Sequence, residues 1–247
     1  MLKLETALQT IAQRRLTTSL AHDQAEVLEA QRLRYKVFAE EMGANIPGDE
    51  FDQDRYDEFC DHLIVRESEA NRVIGTYRIL SPDQAEKCGG YYAQSEFDIT
   101  RLLHLSDRMV EVGRSCVHRD FRDGATIGHL WGGLAQYMLQ HRHEYLIGCA
   151  SITMADGGHI AASLYHKLHR IHGAPAEYHV FPHCPLPLHA LNHELDVQPP
   201  PLLKGYLRLG AYICGAPAWD PEFNTADLLI LLPIARMNAR YARHFLK

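Results

Sequence analysis

The sequence predicts a mixed α/β domain with a central twisted sheet flanked by helices, and three observations predict it. Apolar runs of strand length, among them RVIGTYRIL, RMVEVGRSCV and YLIGCASITM, recur along the chain. Between them lie stretches of helical period, the longest being QAEVLEAQRLRYKVFAEEMG and RDGATIGHLWGGLAQYMLQH. Taken in order the pattern is β-α-β-β-β-α-β-α-β, which suits one sheet covered by helices rather than separate all-α and all-β parts. With 247 residues, 46% hydrophobic and 23% charged, the chain has material for one large domain, or a domain with an extension, around a sizeable core.

The first strand is RLTTSL, residues 15–20. Asp23 then stands at an N-cap position before an amphipathic helix whose Val27, Leu28, Leu33, Val37 and Phe38 repeat near helical period, and Gly43 ends it. A Pro/Gly/Asp-rich acidic loop, residues 46–61, leads to HLIVRE and RVIGTYRIL, a hairpin around the polar turn 69–71. After an irregular polar stretch, RMVEVGRSCV alternates as a strand, and a helix opened by glycine follows. YLIGCASITM is the next strand, residues 157–172 are helical, and EYHVFP reads as another strand. Residues 183–202 form an irregular arm ending in three prolines, followed by a short helix, the apolar strand DLLILLP and a final helix. The expected organisation is a core over 1–182 and an extension over 183–247 packed on it.

Composition excludes several classes. A net charge of −6 argues against nucleic acid as a partner. The six cysteines, Cys60, Cys88, Cys116, Cys149, Cys184 and Cys214, are widely spaced with no CxxC pair, which reads as reduced, mostly buried thiols rather than a disulfide framework or zinc site. The N-terminus has no apolar run of signal-peptide type, and the apolar segment 228–235 is too short to span a bilayer and contains Pro233. A cytoplasmic protein is expected, with at most peripheral contact with the inner membrane. In the final helix Arg236, Arg240 and Arg243 fall at i, i+4 and i+7 on one face. That face is either a solvated surface or a docking stripe for an acidic carrier protein or anionic headgroups.

The strand-turn-helix over 109–129 is the first candidate for chemistry. A strand running through Arg119-Asp-Phe-Arg122-Asp-Gly124 into a helix presents free backbone N–H groups at the helix N-terminus, an arrangement that binds phosphate or pyrophosphate. Other motifs are set aside. His118 and Asp123 match the His-x4-Asp spacing of glycerolipid acyltransferases, but chance matches are common in a chain with 16 histidines, and the accompanying Pro-Glu-Gly block is missing. His166, His169 and His172 at i, i+3 and i+6 cannot place three rings around one metal, and HExxH, Gly-x-Ser-x-Gly, GxGxxG and Walker patterns are absent. No metal and no permanently bound cofactor are expected.

Several blocks resemble known families. Ser163-Leu-Tyr165-His-Lys167-Leu168 is similar to the LY-x-KLGF stretch of GNAT enzymes, whose tyrosine often protonates the leaving thiolate; Tyr165 takes that role by resemblance. The glycines of Arg122-Asp-Gly124-Ala-Thr-Ile-Gly128 are displaced from the usual GNAT Arg/Gln-x-x-Gly-x-Gly/Ala pattern, which fits a donor held through one phosphopantetheine phosphate better than a coenzyme A pyrophosphate. Arg34-x-x-x-Phe38, Asp54-x-x-Asp57, Arg78 and Glu111-x-x-Arg114 resemble, in order and approximate spacing, the acyl-homoserine-lactone synthases, carrier-protein-dependent relatives of the GNAT fold. Across residues 15–247, RLRYKVFAEEMGA, DRYDEFCDHLIV, EVGRSCVHRDFRDG and PPLLKGYLRLGAYICGAPAWDPEFNTADLLILL resemble the ornithine lipid-forming N-acyltransferases, which are often labelled hemolysins.

The resemblance implies a GNAT-like fold and transfer of a 3-hydroxyacyl group from acyl carrier protein to the α-amine of ornithine, giving lyso-ornithine lipid. Acylation of another small amine, as in homoserine-lactone synthases, is the alternative enzyme reading. A membrane-active protein of hemolysin type would need an amphipathic or spanning apolar segment, which the sequence does not offer. The attacking amine must be neutral, so Glu111 is expected as general base, the alternatives being that it binds the ornithinium cation or pairs with Arg114; Tyr165 and Arg114 complete the expected catalytic set. Backbone N–H groups from Gly113 to Cys116 are expected to hold the oxyanion. Asp54 and Asp57 are the expected partners of the cationic side chain, with Phe38 beside the substrate. Arg34 and Arg78 would bind the substrate carboxylate or organise the acidic loop. Ser115, Cys116 and Val117 on the strand, with Arg122, Gly124 and Ala125 at the helix start, are expected to bind the acyl donor.

Overall fold

The computed structural model describes residues 15–237. One sheet runs in the order β1 (Leu16–Leu20), β2 (Asp61–Glu67), β3 (Arg72–Leu80), β5 (Met109–Val117), β6 (Tyr145–Thr153), β10 (Thr225–Pro233) and β8 (Tyr212–Ile213), with β9 (Ala218–Asp220) also paired to β10. A separate two-stranded ladder joins β4 (Phe97–Asp98) to β7 (Phe181–Pro182). The helices are α1 (Gln24–Tyr35), α2 (Pro82–Lys87), α3 (Ala125–Gln140), α4 (His159–His172) and α5 (Pro201–Leu209).

Local rules account for most of these boundaries. Asp23 caps α1, its carboxylate accepting the Glu26 N–H at 3.0 Å. The β2–β3 hairpin turns through Asn71 at φ +48°, a conformation in which asparagine is several-fold enriched. α3 opens at Gly124 with φ +95°, which a side chain would strain. On α3, Leu130, Leu134 and Met138 recur every fourth residue and are buried beneath the sheet. Each such burial contributes roughly 1.5–3 kcal/mol.

Strand alternation divides the core in two. Val110, Val112, Leu146 and Ile230 face α3, α4 and α5, while Met109, Ile147, Leu229 and Leu231 face the segment 81–108 and the loop around Val180. α1 packs on that second side against Ile64, Val73 and Cys116, and continues into a π-helical turn over Lys36–Glu41 that contains Phe38.

One feature of the sheet matters most for function. Every neighbouring pair is antiparallel except β5 and β6, which are parallel and joined by the α3 crossover. They pair only from Met109 to Glu111 and from Tyr145 to Ile147. Beyond that point the strands part, while β6 keeps β10 along its full length from Tyr145 to Thr153. Gly148 sits at the parting, where an added Cβ would lie 2.5 Å from the Val112 carbonyl oxygen.

Three expectations need correction. EYHVFP is a 3-10 turn (Ala176–Tyr178) followed by the two-residue β7, because the second half of the run pairs only with β4. The segment from residue 183, expected as an extension packed on the core, supplies β8, β9 and β10 to the sheet itself. Arg236, expected in the final helix, ends a short 3-10 turn (Ile234–Arg236) and lies against Tyr212, to whose hydroxyl it donates. Arg240 and Arg243 lie outside the described residues. No helix among the described residues is long and apolar enough to cross a membrane.

Candidate active site

The parting of β5 and β6 opens a cavity of about 590 Å³. Val112 to Val117 line one side and Gly148 to Ser151 the other. The ends differ in chemistry. Trp131, Ile127, Leu202, Ile230, Tyr77 and Tyr206 make an apolar chamber between α3 and α5. Arg78, Arg114, Tyr92, Glu111, Asp220 and Asp227 make the polar end.

A β-bulge builds the polar end. Arg78 lies opposite Gly113 and Thr76 opposite Cys116, so β5 carries one extra residue there. Arg114 absorbs it with φ +50°, a left-handed conformation costing about 1–2 kcal/mol in a non-glycine residue. Residues three apart on a regular strand face opposite sides. The bulge instead turns Arg114 to the side of Glu111, where its guanidinium stacks on Phe223 at 4.5 Å and Tyr92 at 5.2 Å.

Three arginines and three aspartates meet there. Arg34, fully buried, donates to Asp52 at 2.7 Å and to both oxygens of Asp57 at 2.6 and 3.2 Å. Arg78 donates to Asp54 at 2.6 Å and Asp57 at 3.2 Å. Arg114 donates to Asp54 at 3.2 Å, and its Nε lies 3.2 Å from Asp52. The Arg34 and Arg78 guanidinium groups hold the Asp57 carboxyl well below the usual carboxylate range, despite burial acting the other way. Charge inside the cluster is balanced, so Arg34 and Arg78 organise the acidic loop rather than standing free for a substrate carboxylate. For the same reason Asp54 and Asp57 are not free for a substrate cation, which corrects the expectation from sequence. Asp52, which that reading overlooked, is buried and pairs with Arg34.

Glu111 is differently placed. It lines the cavity, is 5% exposed, and accepts the backbone N–H groups of Tyr92 at 2.5 Å and Ala93 at 2.7 Å. Burial pushes its carboxyl up to about 7, against the pull of those two donors. It makes no ion pair with Arg114, whose partners are Asp52 and Asp54. Glu111 thus holds the 3-10 turn Tyr92–Ser95 against β5 and is poised near neutrality.

Of the expected donor residues, Ser115, Cys116, Val117, Arg122 and Gly124 line the cavity. Arg122 is tied to the Val117 carbonyl at 2.9 Å and Glu41 at 2.7 Å. Ala125 does not line the cavity, and its N–H donates to Asp123 at 3.0 Å, so a carboxylate already occupies part of the helix start. Phe38 lines the cavity and meets Phe223 edge-on at 5.8 Å. Tyr165 does not reach it: the ring is half-buried on α4 beside His169, because helical spacing puts Ala161, Leu164 and Leu168 on the core face instead. Tyr92, unremarked in the sequence, is the cavity tyrosine next to Glu111 and Arg114. Burial pushes the thiols of Cys116 to about 12 and Cys149 well upward, so neither is an activated nucleophile.

His118 has Lys36 at 3.3 Å and the Asp120 N–H at 3.3 Å as partners, while Asp123 serves Ala125, so the His-x4-Asp spacing is not assembled as a dyad. All six cysteines are free thiols; two are buried and Cys184 is exposed. Residue spacing gave no hint of one cluster: Glu96, Cys149 and Asp227 bring ligand atoms within 4.8 Å of one another.

Comparison with known proteins decides the family. Residues 33–132 match the Acetyltransferase (GNAT) domain. The chain is 36% identical to the L-ornithine N(alpha)-acyltransferases of Agrobacterium fabrum and Brucella abortus, over 93% of its length and 85% and 88% of theirs. It belongs to the L-ornithine N(alpha)-acyltransferase family. Similarity to the Rhodobacter capsulatus member is 33% over 92% of this chain and 93% of that protein. Among solved structures, the AHL synthase LasI superposes with TM-score 0.53 at 16% identity, over 94% of this chain and 95% of that one. The N-acyl amino acid synthase FeeM superposes with TM-score 0.54 at 15% identity, over 90% and 94%. The fold is therefore GNAT-like, and the chain is an acyltransferase.

Proposed function

We propose that this enzyme transfers a 3-hydroxyacyl group from the phosphopantetheine thioester of acyl carrier protein to the α-amine of L-ornithine, giving lyso-ornithine lipid. The observation that carries the reading is the cavity itself. It joins a chamber suited to an acyl chain to a buried carboxylate held near neutrality, in a chain related over almost its whole length to proteins named for this acceptor.

The chemistry follows from the residues. The ornithine α-amine attacks the thioester carbonyl, forming a C–N bond. Glu111, directly or through a water, takes the amine proton as the tetrahedral species forms. From Val112 onward β5 has no strand partner on its β6-facing edge, so backbone N–H groups there are placed to donate to the oxyanion. Collapse breaks the C–S bond, and the departing thiolate recovers one proton through Glu111. Direct transfer is favoured over an acyl-cysteine intermediate because Cys116 and Cys149 remain protonated. Arg114, anchored by Asp52 and Asp54, positions the polar end of the site and lends positive charge to it. No permanently bound cofactor has a role in these steps.

Two details support the finer donor assignment. The Asp123 carboxylate at the α3 start disfavours a pyrophosphate and suits a donor held through one phosphodiester. Within the apolar chamber, the Tyr77 and Tyr206 hydroxyls bond to each other, with the Ser115 hydroxyl beside Tyr77. They supply polar partners for a 3-hydroxyl in an otherwise apolar wall.

Expression in a host that lacks ornithine lipids tests the reading. Extracted lipids should contain ornithine bearing one amide-linked 3-hydroxyacyl chain. Soluble protein with no such lipid would count against ornithine and turn attention to homoserine lactone or other small amines.

A further inference from the structure

We propose that Asp227, Glu96 and Asp220 form a subsite for an alkylammonium group, the side-chain ammonium of the amino-acid acceptor, at the β6–β10 end of the cavity. This rests on the reading of ornithine as acceptor and assigns the part of the site that distinguishes a diamino acid from a neutral one.

Charge balance is the first argument. Two acidic clusters lie near the polar end of the cavity, and in the first Asp52, Asp54 and Asp57 are each paired with arginine. Among the described residues neither Glu96, Asp220 nor Asp227 has an ion pair with lysine or arginine; the nearest positive influence on Asp227 is Arg114 acting at a distance. Asp227 is 3% exposed and Asp220 8%, and both line the cavity. Buried carboxylates left without a cation raise their affinity for protons, and burial pushes the carboxyl of Glu96 up to about 8 and that of Asp227 to about 6.

Hydrogen bonding is the second. Both carboxylate oxygens of Glu96 are buried, each with under 1 Å² exposed, and receive no hydrogen bond of normal geometry, although the Tyr92 hydroxyl and Cys149 thiol lie beside them. They point at Asp227 and Cys149, which line the cavity. Asp227 is itself held by the Thr225 hydroxyl at 2.8 Å and by Ser151, and Asp220 by the N–H groups of Glu222 and Phe223. The carboxylates of Asp220 and Asp227 are therefore positioned by the chain, while that of Glu96 has only the Tyr92 hydroxyl and the Cys149 thiol beside it.

Geometry selects the occupant. The Glu96 and Asp227 carboxylates and the Cys149 sulfur bring ligand atoms within 4.8 Å of one another, close enough for one cationic group to bond to both carboxylates. Zinc would draw these atoms in to about 2.0–2.3 Å with Cys149 as thiolate, an occupant that the added-zinc comparison below distinguishes. An ammonium has three donors and asks for no thiolate. With the side chain anchored there, the α-amine is left on the Glu111 side of the same cavity.

The test compares L-ornithine with L-norvaline, which keeps the chain and lacks the terminal amine. Titration calorimetry and steady-state acylation would be run on the wild type, Glu96→Gln and Asp227→Asn, each with EDTA and again with added zinc. The ornithine-over-norvaline preference should fall about 30-fold in either variant, the scale of losing a buried charge partner. Both isosteric variants should melt at or above the wild-type temperature, since each removes an uncompensated buried charge. If the wild type acylates ornithine and the variants keep its preference, the subsite is wrong and the acceptor assignment stands. If the wild type acylates no ornithine, the acceptor assignment fails, and n-propylammonium titration followed by NMR decides the subsite. Binding lost in Glu96→Gln would then support it, and binding absent or unchanged would overturn it. Ornithine binding that depends on added zinc would overturn it in favour of a metal site.

Discussion

Substituting Glu111→Gln separates a base from a scaffold, because the structure gives Glu111 both duties. As a base it contributes roughly 10²–10⁴-fold to turnover, and the amide cannot accept the amine proton. As a scaffold it accepts two N–H groups, and glutamine can satisfy only one of them. The mismatched donor costs about 1–3 kcal/mol. Against this stands the buried charge. A carboxyl raised to about 7 in the folded state stabilises the protein fully only below its unfolded value, and that contribution is lost as pH rises through about 7. The loss amounts to about 3 kcal/mol, and the uncharged glutamine side chain of the variant escapes it. The two effects oppose each other, so Glu111→Gln should fold with near wild-type stability at neutral pH.

The assay is steady-state acylation of ornithine across pH 5–9, with urea unfolding as the control. Wild-type kcat/KM should rise through about pH 7 as Glu111 ionises and then level. The variant should lose about 10²-fold or more in kcat and lose that limb of the profile. A folded variant with wild-type turnover and an unchanged pH profile would refute the role of Glu111 as base.

Four further outcomes follow from the same geometry. Asp57→Asn should destabilise the protein by about 3–5 kcal/mol in urea unfolding, since Arg34 and Arg78 lose a buried partner. In the wild type, the stability from Asp57, whose folded carboxyl is lowered, is fully present above the ordinary carboxylate range and lost as acid carries the pH below that range toward the lowered folded value. Tyr77→Phe should lower kcat/KM for a 3-hydroxyacyl donor about fivefold relative to the unsubstituted acyl donor, as for one neutral hydrogen bond. Gly148→Ala should impair donor use in competition assays while leaving the chain folded, because the new Cβ meets the Val112 carbonyl where β5 and β6 part. Tyr165→Phe should retain wild-type kcat, since the hydroxyl does not line the cavity; a 10²-fold loss would restore Tyr165 as the acid.

Elements governed by local chemistry were legible in the sequence. The Asp23 cap, the Asn71 turn and the glycine opening of α3 depend on neighbours within a few residues, and the structure has all three. Glu111 and the arginines could be nominated because their order along the chain resembles a known pattern. What the arginines do was not legible: Asp52 and Asp57 meet Arg34 only after α1 and the acidic loop pack together. The bulge at Arg114 leaves no periodic trace, since one extra residue in a strand alternates like any other. EYHVFP misled because apolar residues in a loop flanking a sheet resemble a strand until a partner is sought. Tyr165 misled in the opposite sense, a motif match whose side chain turns to a different surface. Asp220 and Asp227 share the β9–β10 hairpin, but Glu96 comes from a segment more than 120 residues earlier, and only the tertiary fold brings it beside them.

The most direct measurement is reconstitution with purified enzyme, 3-hydroxyacyl carrier protein and L-ornithine labelled with ¹⁵N at the α-position, followed by tandem mass spectrometry. A mono-acylated ornithine whose amide carries the labelled nitrogen should form, with free carrier thiol released in equal amount. No product, or an amide at the unlabelled side-chain nitrogen, would contradict it.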